Sequence, residues 1–226
     1  MSAFRYTEHD GHFVAEVPAG NSLRRWLIDT GSPGSVSNTP LHIDGEQIEV
    51  ADNFMGINID ELQSMVGCEF DTLVGMDVLG GFSIQIDSAN KQLHLLKQEP
   101  EVTGHRLPFR LVMGIPTVDM NITGTDCSLF FDTGAKITYL QKGLFDGQQP
   151  VREIEDFYPG FGPFTAAVYE VPADIAGEMK VIEAAALPDL LEATLLAVGT
   201  QGILGNSAWT DRSCVLLKQS YELVIS

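Results

Sequence analysis

Leu27-Ile28-Asp29-Thr30-Gly31-Ser32 and Phe130-Phe131-Asp132-Thr133-Gly134-Ala135 are two versions of one phrase. Each is a run of large apolar residues that ends in a carboxylate, followed by Thr and Gly. A lone ionised carboxylate is costly to bury, so an apolar strand that ends in Asp calls for a partner. Two such strands in one chain can supply it. The expectation is that Asp29 and Asp132 meet in one site and share a proton.

The phrase belongs to a longer repeat. A shift of 103 residues places Gly11 on Gly114, Glu16 on Asp119, Val17 on Met120 and Ser35 on Thr138. Further on, Leu73-Val74-Gly75 matches Ile203-Leu204-Gly205, and IDELQSMVG matches LPDLLEATLLAVG. The period is too long and the copies too few for a solenoid. Two related units facing one another are expected, residues 1–98 and 99–226, joined by the polar, proline-bearing stretch Lys97 to Glu101. The span from Asp29 to Gly75 is 46 residues and that from Asp132 to Gly205 is 73. The second unit therefore carries an insertion, expected around Asp156 to Phe164 and the alternating segment TAAVYEVPADI.

With 22 Gly and 11 Pro between short apolar runs, the chain reads as a turn-rich, all-β protein with short helices. Alternation predicts strands over Gly11–Gly20 and Leu23–Ile28. Asp44-Gly45 predicts a tight hairpin turn, and a second hairpin is expected to turn at Ala89-Asn90. Apolar spacing predicts a helix from Ile59 to a stop at Gly67, and a shorter one over Met76–Leu79. His9 and His12 are expected to sit near a mobile start.

Composition narrows the function. A net charge of −18 is unfavourable for binding nucleic acid. The most apolar late stretch, Ala184 to Gly205, is broken by Pro188, Asp189 and Glu192, so no membrane span is expected. The N-terminal residues lack an apolar signal core, and a cytoplasmic location is expected. Cys68, Cys127 and Cys214 are far apart and odd in number, which suits buried, inert thiols better than a disulfide framework or zinc site. His9 and His12 lack a third metal ligand nearby. No HExxH, GxSxG or phosphate-loop pattern occurs.

Two carboxylates sharing one proton suit peptide hydrolysis without a metal or cofactor. The charged one acts as base toward a water, and the neutral one donates to the carbonyl oxygen. At a separation of about 3 Å, two like charges cannot both form readily, so the titrations split. Gly31 and Gly134 would let backbone approach the carboxylates closely. Thr30 and Thr133 would bond across the interface between units. Ser32 is placed to donate its hydroxyl to Asp29, which Ala135 cannot do for Asp132. On that basis Asp29 is expected to be the easier one to keep charged.

The pattern Asp-Thr-Gly-Ser/Ala, with Ser/Thr soon after and apolar-apolar-Gly downstream, resembles the aspartic peptidases of the retropepsin and pepsin clan. The likeness covers both halves. VGMDVLGGFSIQID resembles retropepsin-like proteins of bacteria, and DFYPGFGPFTAAVYEVP resembles their flap-side hairpin. The resemblance implies an aspartic-protease fold of two small β-barrel lobes in one chain, with Asp29 and Asp132 catalytic. It implies support from Thr30, Gly31, Ser32, Thr133, Gly134 and Ala135. It also implies substrate contact from a flap containing Tyr158, Gly160, Phe161 and Gly162. The activity implied is that of an endopeptidase on peptide or protein substrates, with no cofactor and no metal. A monomer would suffice for the site, and exposed strand edges leave a further dimer open. The other reading is an inactive peptide-binding or dimerisation module on the same fold.

Overall fold

The computed structural model describes residues 2–226. The protein is an all-β chain with three short α-helices among the described residues. None of the helices is long and apolar enough to cross a membrane.

The first half opens with β1 (Ser2–His9), β2 (His12–Ala19) and β3 (Ser22–Ile28), an antiparallel meander. The sequence suggested a mobile start, and the structure has a strand there. Ser2–His9 is a paired strand held between β2 and β11 (Gln92–Leu96). Exposed Arg5 and Thr7 alternate with buried Phe4 and Tyr6. Asp10 and Gly11 turn the hairpin with positive φ, the geometry a two-residue turn requires. Three short elements follow: β4 (Val36–Ser37), then the small ladders β5 (Leu41–Ile43) with β6 (Glu46–Ile48) and β7 (Asn53–Phe54) with β8 (Ile57–Asn58).

Helix α1 (Ile59–Val66) begins at Asn58, whose side chain accepts from the Asp60 and Glu61 N–H groups. Glu61 reaches back to the Asn58 N–H, completing a capping box. Gly67 ends the helix in the left-handed conformation. Strand β9 (Thr72–Val74) then pairs with β3 in parallel and with β4 antiparallel. Helix α2 (Met76–Leu79) and the hairpin β10 (Ser83–Asp87) with β11 close the half.

The second half repeats this path. β12 (His105–Val112), β13 (Ile115–Ile122) and β14 (Thr125–Phe131) lie 103 residues after β1, β2 and β3, with the same register between them. β15 (Thr138–Leu140) follows. The insertion then forms a meander of β16 (Arg152–Tyr158), the long β17 (Gly162–Ile175) and β18 (Glu178–Ala186). β18 returns beside β15 in parallel. It has no counterpart in the first half, and its mixed run EMKVIEAAA gave no clear period in the sequence. α3 (Asp189–Ala197), β19 (Gly202–Leu204), a 3₁₀ turn at Asn206–Ala208, β20 (Cys214–Leu217) and β21 (Glu222–Ile225) restore the repeat.

The halves join through β10 and β20, which pair antiparallel with Gln85 opposite Val215. These two residues are equivalent in the repeat, so a pseudo-two-fold axis passes between them. The joint sheet runs β1-β11-β10-β20-β21-β12 across both halves. The main apolar cluster also spans them: Trp209, fully buried, sits 5.5 Å from both Phe13 and Phe131. The three cysteines are free. Cys127 and Cys214 are buried, but Cys68 is only partly so, a departure from the expected inert set.

Candidate active site

Each aspartate follows the last residue of a central strand. The Asp29 N–H donates to the Val74 carbonyl (3.0 Å) and the Asp132 N–H to that of Leu204 (3.1 Å). These bonds extend the parallel ladders β3–β9 and β14–β19 by one residue and fix where each side chain emerges. Behind each loop lies the downstream glycine. A Cβ on Gly75 would meet the Gly34 oxygen at 2.5 Å, and one on Gly205 would meet the Ile137 oxygen at 2.1 Å. The Gly75 N–H donates to Ser35 Oγ (2.9 Å) and that of Gly205 to Thr138 Oγ1 (3.2 Å). The apolar-apolar-Gly and Ser/Thr positions of the repeat are therefore parts of one loop-bracing device, used twice.

The two threonines lock the loops together. The Thr30 N–H donates to Thr133 Oγ1 and the Thr133 N–H to Thr30 Oγ1, both at 3.0 Å. Thr30 Oγ1 then donates to the Phe131 carbonyl (2.7 Å), and Thr133 Oγ1 to that of Ile28 (2.8 Å). Four bonds cross between the halves, all buried. Thr133→Val is expected to strand the Thr30 N–H and the Ile28 carbonyl. Each unpaired buried group costs about 1–3 kcal/mol, so with two of them the melting temperature should drop by about 4–24 °C for a chain of this size. Thr133→Ser, which keeps the hydroxyl, should recover most of that loss in the same melt.

The glycines bring the carboxylates face to face. A Cβ built on Gly31 would lie 2.1 Å from Asp132 Cγ, and one on Gly134 would lie 2.5 Å from Asp29 Cγ. Each carboxylate thus rests against the other loop's backbone, and the two side chains are in hydrogen-bonding contact. Burial pushes both carboxyls up, and the Asp132 charge raises Asp29 further.

The backbone donors to the two carboxylates are unequal, and the Ser32 hydroxyl does not reach Asp29 as expected. The Ser32 hydroxyl donates to the Gly34 carbonyl (2.7 Å), and only its N–H reaches Asp29 Oδ1 (2.8 Å). Asp132 Oδ1 accepts from the N–H groups of Gly134 (2.7 Å) and Ala135 (3.2 Å). Those donors offset part of the burial of Asp132. By hydrogen-bond geometry the Asp132 carboxylate is offered one more backbone N–H than Asp29, which favours its charged form.

The tip of the β16–β17 hairpin comes within electrostatic reach of this dyad. Its tip turns through Pro159-Gly160-Phe161 between the paired Tyr158 and Gly162, with the Phe161 N–H bonded to the Tyr158 carbonyl (3.0 Å). The Tyr158 hydroxyl is pushed up by burial and by the charges of Asp132 and Asp29, so it lies within electrostatic reach of the pair. Gly160 lies against Met55 of the β7–β8 turn, where a Cβ would sit 2.8 Å from the methyl end of that exposed, flexible side chain. Phe157 packs on the first half's cluster with Phe54 and Ile57. Phe161 is part-exposed and edge-on to Phe164 at 5.9 Å; Gly162 follows with positive φ. The hairpin from the second half therefore crosses to the first.

Several neighbours of the dyad were not singled out from the sequence. Tyr139 donates its hydroxyl to Asp156 Oδ2 at the hairpin base, and the Phe157 N–H donates to Asp156 Oδ1 (2.8 Å). His12, for which the sequence offered no third metal ligand, is buried beside the Gly134 carbonyl and Asp156, and burial favours its neutral imidazole. Asn206 follows Gly205 where the first copy has Met76. That apolar-to-polar change at a matched position was the signal that could have found it. Among the described residues no group of three or more His, Cys, Asp or Glu side chains could hold a metal ion. No known protein-family model matches the chain, and a search of curated proteins finds no significant match to it.

Proposed function

We propose that the chain is an aspartic-type endopeptidase of the retropepsin- and pepsin-like kind, with two small barrel lobes and one aspartate from each. The observation that carries this reading is the mutual approach of the two loops, in which each glycine leaves room for the opposite carboxylate. A pair so buried and so close favours a single shared proton. In the proposed reaction Asp132 takes a proton from a water as its oxygen attacks the peptide carbon. Asp29 gives its proton to the carbonyl oxygen, forming a neutral gem-diol. Collapse then returns a hydroxyl proton to Asp29, and the proton on Asp132 goes to the departing nitrogen. The hairpin tip, with Tyr158 within electrostatic reach of the pair, would cover an extended peptide and exclude bulk water. Phe54, Met55 and Phe161 at the rim suit apolar side chains on that peptide.

A second reading is favoured by one observation. The tip already rests on Met55, and Phe157 is anchored in the first half. A hairpin fixed there would leave a closed, non-catalytic peptide-binding or dimerisation module. Incubating the protein with an unfolded protein between about pH 3 and pH 8 separates the two. New peptide termini, found by mass spectrometry and lost in the aspartate variants, support the peptidase. Retention of the unfolded chain without cleavage at any pH supports the module.

A further inference from the structure

The two aspartate loops differ in what supports them from outside the dyad. The loop of Asp132 is strutted by the first half's N-terminal hairpin. Lys136 Nζ pairs with Asp10 Oδ2 at 3.0 Å, and a Cβ on Gly11 would lie 2.9 Å from Lys136 Cβ. Between turn and loop sits Asn206, fully buried. Its Nδ2 donates to the Gly11 carbonyl and to the Thr133 carbonyl, both at 2.8 Å. Both partners are carbonyl oxygens, so the amide nitrogen must face them. In the other half the matching residue, Met76, has no amide to offer. The matching turn glycine, Gly114, would have nothing within 4 Å of its Cβ.

The bond to the Thr133 carbonyl has a consequence for Asp132. A trans peptide is planar, with its C=O and N–H pointing in opposite directions. Pinning the Thr133 carbonyl on Asn206 turns the N–H of the same peptide, that of Gly134, the other way. There it donates to Asp132 Oδ1 at 2.7 Å, the shorter of the two backbone bonds that oxygen accepts. The arrangement also leaves Asn206 Oδ1 buried without a hydrogen-bond partner. An unpaired buried acceptor costs about 1–3 kcal/mol, so stability alone is a poor account of an amide at this position.

We propose that Asn206 is a positioning residue: by fixing the Thr133–Gly134 peptide it makes Asp132, and not Asp29, the ionised member of the pair. The assignment of base and acid then follows from one side chain outside the dyad, and the pseudo-symmetric loops acquire different roles. The other titratable groups around Asp132 are Asp29 across the dyad and Tyr158 at the hairpin tip. On the far side of its loop lie His12, together with Lys136 and Asp10. Lys136 keeps its place in the variants below, so it does not account for a change between them.

The catalytic consequence rests on the peptidase reading, and the ionisation order does not. Two measurements keep them apart. The first is a titration of the full-length protein labelled with ¹³C at the aspartate carboxyls, assigned with Asp29→Asn and Asp132→Asn. The expected result is that Asp132 loses its proton first, and that Asn206→Met, which installs the first half's residue, moves that step upward by about one pH unit, a tenfold change in the ionisation constant. The second is the pH profile of kcat/KM on a fluorogenic peptide copied from an observed cleavage site. Its acid limb should move upward with the carboxyl titration, while the basic limb moves less. Should Asn206→Met not fold, Asn206→Ser is the milder substitute, and the wild-type titration order still decides. Asp29 ionising first, or an Asp132 step unmoved in a folded Asn206 variant, overturns the proposal. Absence of cleavage by the wild-type protein overturns the peptidase reading and leaves the titration to judge Asn206 by itself.

Discussion

Asp132→Asn is expected to leave a folded protein whose peptide hydrolysis has fallen by about 10⁴, the upper range for loss of a general base. The amide oxygen of Asn can still accept from the Gly134 and Ala135 N–H groups, which now bond Asp132 Oδ1. It cannot take a proton from water. Asp29→Asn should be comparably inactive for the complementary reason, since it has no acidic proton to give. Rates for the purified variants on the same peptide check this, and activity that survives either change would sink the mechanism. Stability should move the other way. Burial and the Asp132 charge raise the Asp29 carboxyl above its usual 3.8. A carboxyl raised in the folded state adds stability below the unfolded value, and that contribution is lost as pH rises through the folded one. Asn stays neutral at every pH. The melting temperature of Asp29→Asn should therefore match wild type most closely below about pH 3.8. At neutral pH it should exceed wild type, by about 2–4 °C per kcal/mol recovered.

Much of the strand framework could be read from the repeat, because repeated residues do repeated jobs. Asp29-Thr30-Gly31 and Asp132-Thr133-Gly134 stood out since apolar strands seldom end in Asp, and the matched Gly75 and Gly205 marked the braces behind them. Local chemistry located α1, where Asn58 and Glu61 cap one end and Gly67 the other. The first strand was missed because its alternation is short: only Phe4 and Tyr6 are buried, and Thr7-Glu8-His9 that follow are all exposed. Carrying the 103-residue shift back past Gly11 would have matched it to His105–Val112. The inequality of the two aspartates could not be read from Ser32 and Ala135. It depends on where a hydroxyl points, and Ser32 found the nearer carbonyl of Gly34. The contact between Gly160 and Met55 joins positions 105 residues apart with no charge or period to link them. Residues that serve one half only, such as His12, Asp156 and Asn206, are the ones that a repeat hides.

Gly31→Ala should be as damaging to function as removing a carboxylate, through sterics alone. The added Cβ would lie 2.1 Å from Asp132 Cγ and 2.2–2.4 Å from both its oxygens, far inside any tolerated contact. Neither party can yield cheaply. Asp132 is tied by the Gly134 and Ala135 N–H groups, and Gly31 follows Thr30, which is held by bonds to Thr133 and Phe131. Relief must come from parting the two loops or rotating the Asp132 side chain, and either one separates the carboxylates. Overpacking of this kind costs about 1–3 kcal/mol where the surroundings can shift, a fall in melting temperature of about 3–10 °C. Activity should drop by about 10³ or more, since a displacement near 1 Å in a catalytic pair already costs about 10². The diagnostic result is the proton-sharing itself. With the carboxylates apart, the Coulombic contribution to the Asp29 shift weakens, and the two titration steps should draw together. An alanine variant that keeps both the wild-type rate and widely split titrations would show that the loops do not meet as closely as their glycines allow.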